Sequence, residues 1–525
     1  MRNEKDQCVL AFSYQQCTIG FAPRQVRKQE TLRVGETVDR VKQLNEPLSL
    51  RNYSFAEDET LLKLTAADVC TATGGTLVCG REEVIFTSVS IDSRAITPGA
   101  LFVPLPGART DGHTHLATAV QQGAAGFFFA RDRDLTLPPG AVGIAVDDPL
   151  TALQALAAWH RSRLGALVIG IAGSNGKTTT KEILAQVCAA TKPTLATQGN
   201  QNNHIGLPLT LLRTDERAEV LVLELGTSGV GELTLLSAIA QPHIGVITTI
   251  AEEHTETLKD LAGVLAAETE LIAALPEHGI AVVNGDDPSL LATVQRVASC
   301  RIVTFGEGLA NQFCVTNIQV SRQGTSFALS TPTENRRVQM QLLGSHFALA
   351  AVAATAVATE CGLSLEQVCT ALATAHGAPR RMAVIEIPSQ RLTILDDCYN
   401  ANPASMRQAL LTASQVRLAG ERLIVVLGDM LELGTLSHSR HQEIGEHLVM
   451  LAPLPDVLIT VGEEARLIAT RAEQAGIPVY IFANAEAAAT WVRETICSYQ
   501  GPQLLLVKGS RGVRLEAITH QITQP

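Results

Sequence analysis

Residues 170–182 read GIAGSNGKTTTKE, between the apolar run ALV and ILAQVCAAT, a stretch of helical character. Glycines in such a loop let backbone N–H groups turn inward on an anion, the following helix offers the positive end of its dipole, and a lysine adds a full charge. Gly173, Ser174, Asn175, Gly176, Lys177, Thr178 and Thr179 are therefore the first candidates for holding phosphate. A strict nucleotide loop has a glycine five positions before the glycine of GK[ST]. Here that position is Ile171, and the spacing is Gly173-x-x-Gly176-Lys177-Thr178. The match is a variant that keeps strand, loop, Lys-Thr and helix in order. In that role Lys177 pairs the β/γ-phosphates and Thr178 ligates magnesium; the rival reading is a glycine turn with a surface lysine.

Magnesium wants hard oxygen ligands. Glu224 ends the run VLVLE, which as a parallel strand brings its carboxylate to the same sheet edge as the loop. Farther on, IAEEHTETLKDLAGVLAAETELI places His254 near a strand end and Glu268 inside the next helix. Taken singly, these two read as a surface histidine and a solvated helix residue. Only the constellation makes them candidates.

The positioning elements follow from apolar periodicity. VIGIAG, VLVLELG, IGVITTI and IAVVNG are continuous apolar runs separated by helical patterns, as buried parallel strands are. Residues 313–343 read as strands and 346–376 as a helix pair; ILDD, LIVVLGD, VLITVG, VYIF and LLLVKG then alternate with helices. Ahead of them, short apolar runs from Leu61 to about Val146 indicate a small α/β domain. DDPLTALQALAAWHRSRLG connects the two as a helix, with Asp148 as cap and Pro149 in the first turn. The expected fold is α/β with two doubly wound sheets in series behind a smaller front domain. The expected segments are 1–58 as a flexible extension or over-long start, 59–155, 156–345 and 346–525, with hinges near 155–165 and 340–346.

Composition limits the rest. Of 525 residues, 46% are hydrophobic, enough for a core in each domain, and a net charge of -11 argues against a general nucleic-acid binder. The 11 cysteines are scattered without a C-x-x-C pair, so neither a disulfide framework nor a zinc ribbon is indicated and a reducing cytoplasm fits. ALAAVAATAVATECGL (348–363) reads as a packed soluble helix, and no membrane insertion is expected.

From about Thr60 onward the chain resembles the Mur ligase family. The resemblance rests on SIDSR (90–94), PGARTDGH (106–113), GSNGKTTTK (173–181), GNQNNHIGLPLTLL (199–212), ELGTSGVGEL (224–233), GAPRRM (377–382), DDCYNANPASM (396–406), GDMLELG (428–434) and KGSRG (508–512). It implies a small UDP-substrate domain, a central ATPase-like domain and a C-terminal Rossmann-like domain. The implied activity is that of an ATP- and Mg2+-dependent amide ligase, with UDP-N-acetylmuramoyl-tripeptide and D-Ala-D-Ala as substrates, working as a cytoplasmic monomer. A different amine acceptor, or a homologue that binds ATP or UDP-muropeptide without turnover, are the alternatives. The implied chemistry joins two anions, a carboxylate and a phosphate, whose repulsion at ~4 Å is about 4 kcal/mol at an effective dielectric of 20. Lys177, two magnesium ions and an arginine would screen it.

By motif, the resemblance assigns Thr178 and Glu224 to a first metal, His254 to a second, and Arg381 to the nucleotide. Asp397, Asn400 and Asn402 fall in the segment that closes over ATP. Ser93, Arg94, Thr110, Asp111 and His113 fall in the region that reads the UDP-sugar, and Asn202 and Asn203 in a loop towards the muramoyl-peptide. Lys508, Ser510 and Arg511 either help bind the dipeptide carboxylate or serve the fold.

Two departures stand out. The family's A-K-x-E element, whose lysine carries a carbamate, reads Ala267-Glu268-Thr269-Glu270; Glu268 offers the carboxylate on a shorter stem and is expected to act through a water or a shifted helix. The G-x-H-N-x-x-N element reads Gly344-Ser345-His346-Phe347-Ala348-Leu349-Ala350, so both asparagines are missing and Phe347 either stacks on the base or belongs to the core. A smaller change is Cys398 where serine is usual.

Overall fold

The computed structural model describes residues 62–107 and 110–523. The reading of 1–58 as an extension lies outside the described residues. No helix among the described residues is long and apolar enough to cross a membrane.

Three large sheets succeed one another along the chain. The front one has five strands; its parallel part runs Val142–Val146, Gly126–Ala130, Ala100–Phe102, Ser88–Ser90, and Thr76–Cys79 joins antiparallel at the edge. The helix Pro149–Ser162 then leads to the central sheet. It is capped as the sequence suggests, since Asp148 Oδ1 accepts the Thr151 N–H at 2.7 Å and Pro149 occupies the first turn.

The central sheet has nine strands. Leu167–Ala172 lies between Val220–Glu224 and Ile244–Ile247, all parallel, and the chain leaves this strand in one direction before returning on its other side. That reversal opens a crevice at the carboxyl ends of the strands, where open parallel sheets bind ligands. Both faces of these strands are covered, and every residue of Val220–Glu224 and Ile244–Ile247 is buried. An antiparallel extension, Phe313–Ser321, Gly324–Ser330 and Asn335–Met340, completes the sheet. The third sheet has six strands, parallel except for the edge strand Ala383–Ile387.

The helix pair at the start of the expected segment 346–525 packs on elements of the central sheet. Ser345–Glu360 packs on the phosphate-loop helix Lys177–Ala189 and on Phe313–Ser321, and Leu365–Thr374 lies against Asn335–Met340. Its run of alanines lets the backbone of Ser345–Glu360 approach closely, and nearly the whole circumference is buried. Phe347 is fully buried in the apolar cluster that includes Ile183 and Val187, so it belongs to the core. The same cluster takes in Leu410 and Val416 of the helix Pro403–Val416, giving the central and last sheets a common apolar seam.

Candidate active site

The phosphate loop leaves Leu167–Ala172 through Gly173 (φ 117°) and enters its helix through Gly176 (φ 86°), both in the region that favours glycine. A Cβ on Gly173 would overlap the side chain of Thr248, so the loop is pressed on the end of the neighbouring strand. It is also stitched there: the Ser174 N–H donates to Thr249 O (2.7 Å), the Asn175 N–H to Thr249 Oγ1 (3.2 Å), and Ser174 Oγ donates to Ala251 O (3.0 Å). Gly176 caps Lys177–Ala189 without any side-chain acceptor. First-turn amides left in this way are open to an anion.

Lys177 Nζ folds back on the loop, donating to Gly173 O and to Ser174 O (3.4 Å), and it faces Glu253 Oε1 at 3.5 Å. Burial works against its charge. Glu253, Glu268 and Glu224 nevertheless hold its ammonium above the ordinary lysine value, with Arg381 opposing. Glu224 ends its strand as expected and is 3% exposed. Asn202 Nδ2 donates to its Oε1 at 2.9 Å, while Oε2 is buried with no hydrogen-bond partner.

A cavity of ≈ 810 Å³ lies over this edge. Ser174, Asn175, Gly176, Lys177, Thr178, Thr179, Asn202, Asn203, Glu224 and His254 line it from the central sheet; Arg381, Asp397, Asn400, Asn402 and Lys508 line it from the last one. The two sides touch where Asn402 Nδ2 donates to Asn175 Oδ1 at 2.8 Å. Asn402 also caps Pro403–Val416, accepting the Ser405 N–H at 2.9 Å. The Arg381 guanidinium stacks on Tyr399 at 4.3 Å from the ring centre.

Several predicted residues also make contacts within the fold. Lys508, 2% exposed, donates to Asp397 Oδ2 (2.7 Å) and Asn400 O (3.0 Å), and Ser510 Oγ accepts the Leu431 N–H at 2.9 Å. Arg511 instead borders a smaller hollow with His254 and Glu432. Asn203 Oδ1 accepts the N–H groups of Ile205 and Gly206, fixing the start of the next helix. The front-domain candidates are outside the cavity lining. His113 is buried with both ring nitrogens engaged, Nδ1 with Asp111 Oδ1 at 2.8 Å and Nε2 accepting the Ala130 N–H at 3.2 Å. Arg94, its side chain 86% exposed, pairs with Asp92, whose carboxyl it draws down to about 2; Ser93 beside it is buried and Thr110 exposed.

The two metal assignments fare differently. Glu224 Oε2, an orphaned carboxylate oxygen, and Thr178 at the same cavity are hard donors that fit magnesium. In the second set each member has a partner of its own. His254 Nδ1 lies 2.7 Å from Glu432 Oε2, and Glu268, 1% exposed, accepts the Gly173 N–H at 2.6 Å. Its carboxyl is pushed up to about 7, by burial first and by Glu253, against the pull of Lys177. Glu268 thus bonds directly to the phosphate loop.

Sequence reasoning missed Glu253, Tyr399 and a bridge from Arg440 to Glu252, in which Nε and Nη2 each lie 2.6 Å from a carboxylate oxygen. Tyr399 stands within the YNANP run and was open to notice; nothing local marks the other two.

Comparison with known proteins identifies the family. The model of the Mur ligase family, catalytic domain, matches residues 85–161, the Mur ligase middle domain 171–358, and the Mur ligase, glutamate ligase domain 380–511. The UDP-N-acetylmuramoyl-tripeptide--D-alanyl-D-alanine ligase of Bacillus subtilis (strain 168) is 36% identical over 470 residues, covering 88% of this chain and 99% of that protein. The protein of the same name from Escherichia coli (strain K12) is 35% identical, covering 84% and 95%. Among solved structures, MurF from Acinetobacter baumannii superposes with a TM-score of 0.80 at 30% identity, covering 88% of this chain and 99% of that one. MurF ligase from Thermotoga maritima in complex with ADP gives 0.72 at 25% identity, covering 83% and 96%. With three family models spread along it and relatives of this identity over most of its length, the chain belongs to the Mur ligase family.

Proposed function

We propose that this chain is an ATP-dependent amide ligase that joins D-alanyl-D-alanine to UDP-N-acetylmuramoyl-tripeptide, releasing ADP and phosphate, in cytoplasmic synthesis of peptidoglycan precursors. One observation carries the reading. The phosphate loop, Glu224 and the 248–254 segment share one sheet edge, and Arg381, Asp397 and Asn402 face them across a single cavity. The Bacillus subtilis and Escherichia coli relatives, which bear this activity in their names, align over more than four-fifths of the chain.

ATP would place its phosphates on the first-turn amides of Lys177–Ala189, and Lys177 would turn from Glu253 to the β/γ-phosphates. The terminal carboxylate of the tripeptide attacks the γ-phosphorus, ADP leaves, and an acyl phosphate results. The dipeptide amine then attacks the carbonyl carbon; phosphate departs with the former carboxylate oxygen, and the nitrogen loses its proton. Magnesium, when bound by Thr178 and Glu224, would neutralise phosphate charge and so ease the approach of two anions. Arg381, stacked on Tyr399, adds positive charge from the opposite wall. The Asn402–Asn175 contact joins the two sides, and closure around bound substrates would keep out water that hydrolyses the acyl phosphate.

In this reading the front sheet takes the uridine-diphosphate end of the substrate, with Arg94 and Thr110 as its exposed polar groups. The packing of Ser345–Glu360 and Leu365–Thr374 on central elements supports a boundary between the central and last domains after residue 374. Purified protein with ATP, magnesium, UDP-N-acetylmuramoyl-tripeptide and D-Ala-D-Ala should yield the pentapeptide product by mass spectrometry. Phosphate release with a different amine only, or with none, would overturn the reading.

A further inference from the structure

We infer that Glu268 is a positioning residue that holds the phosphate loop in its binding shape, and not a ligand of a second magnesium; the inference rests on the proposed ATP site. Its carboxylate lies behind the loop, outside the cavity lining, and is engaged by the Gly173 N–H at 2.6 Å. Gly173 stands in the left-handed region, which an isolated turn holds only loosely. Here both of its peptide groups are tied: the N–H to Glu268, the carbonyl to Lys177 Nζ. The next two residues are anchored on the opposite side by Thr249 and Ala251.

The loop therefore runs between two supports, Glu268 from the helix Leu261–Ala273 and the segment after Ile244–Ile247. Removing the first leaves the Gly173 N–H buried without an acceptor. The peptide is then free to rotate, and with it the carbonyl that seats Lys177. Its other neighbours act on it through charge, Lys177 favouring the ionised form and Glu253 opposing it, while His254 is engaged with Glu432.

What this role needs is a hydrogen-bond acceptor, not a charge, and two variants of similar volume separate the alternatives. Glu268→Gln keeps an acceptor oxygen; Glu268→Met keeps the bulk and has none. ADP affinity is measured by isothermal titration with magnesium and in EDTA, with a thermal melt as the folding control. In EDTA, Glu268→Gln should bind ADP within about twofold of wild type and Glu268→Met about tenfold more weakly, the effect of one buried donor left unpaired. The KM for ATP should follow the same order, with kcat changing less. Equal metal-free affinities in the two variants, with manganese binding lost in both, would show a metal ligand and overturn the inference alone. Failure of the wild type to bind ADP in either medium would overturn the proposed ATP site, and this inference with it.

Discussion

Exchange of Glu253 for glutamine keeps the side chain's shape and removes the carboxylate that faces Lys177 at 3.5 Å. At that separation and an effective dielectric of 20, the gross attraction is about 5 kcal/mol before desolvation and side-chain entropy are subtracted. The two side chains are only 16% and 12% exposed, so they are screened less than a surface pair. A net value of about 1.5–2 kcal/mol, above the surface range, is reasonable. Two consequences share one sign. The ammonium no longer has a competitor for phosphate, and a negative charge leaves the place an anion must enter. Metal-free ADP and ATP should therefore bind Glu253→Gln about tenfold to thirtyfold more tightly, at 1.4 kcal/mol per factor of ten. Isothermal titration in EDTA reads this directly, because any help Glu253 gives to a cation is then absent. Unchanged or weaker binding would refute the idea that Glu253 restrains Lys177 in the free protein.

Further outcomes follow from other contacts. Arg440→Ala removes the two-pronged bond to Glu252, 31% and 27% exposed, and should raise the KM for ATP about twofold to fivefold at low salt. The difference should vanish near ~1 M salt, where charges are screened within about 3 Å; a salt-independent effect would point to packing. Asn402→Ala loses a helix cap and the contact with Asn175, lowering stability by about 1 kcal/mol and weakening ATP binding; a changed melting point with unchanged ATP affinity would count against the bridge. The Glu268 carboxyl ionises at about 7 in the fold against an ordinary value of 4.5, so between those values the folded protein keeps a proton that the unfolded chain has lost. Its contribution to stability thus declines as pH rises from about 4.5 to about 7. Glu268→Gln should flatten that part of the melting profile, and parallel profiles would be inconsistent with a protonated buried carboxyl.

How legible these features were depended on how local they are. The phosphate loop could be read because strand, glycines, Lys177 and helix are contiguous, and Glu224 because the end of a parallel strand fixes which sheet edge it reaches. Glu268 could be named but not placed, since its partner Gly173 is 95 residues away and only tertiary packing joins them. Glu252 and Arg440 stand 188 residues apart, and each alone resembles a solvated charge. Lys508, read either as a ligand of the dipeptide carboxylate or as part of the fold, borders the cavity, and its ammonium is engaged by Asp397 from a neighbouring strand end. The helix Ser345–Glu360 was evident as a helix, yet its alanines give no apolar stripe to say which sheet it covers. Proximity in sequence favoured the last sheet; close packing on Lys177–Ala189 decided for the central one.

The account stands on a substrate carboxylate capturing phosphate from ATP at the Lys177 edge. UDP-N-acetylmuramoyl-tripeptide labelled with 18O in its terminal carboxylate, turned over with ATP and D-Ala-D-Ala, tests this most directly. One labelled oxygen should appear in each phosphate released, and Lys177→Met should abolish the transfer. Phosphate free of label while the pentapeptide still forms would contradict it.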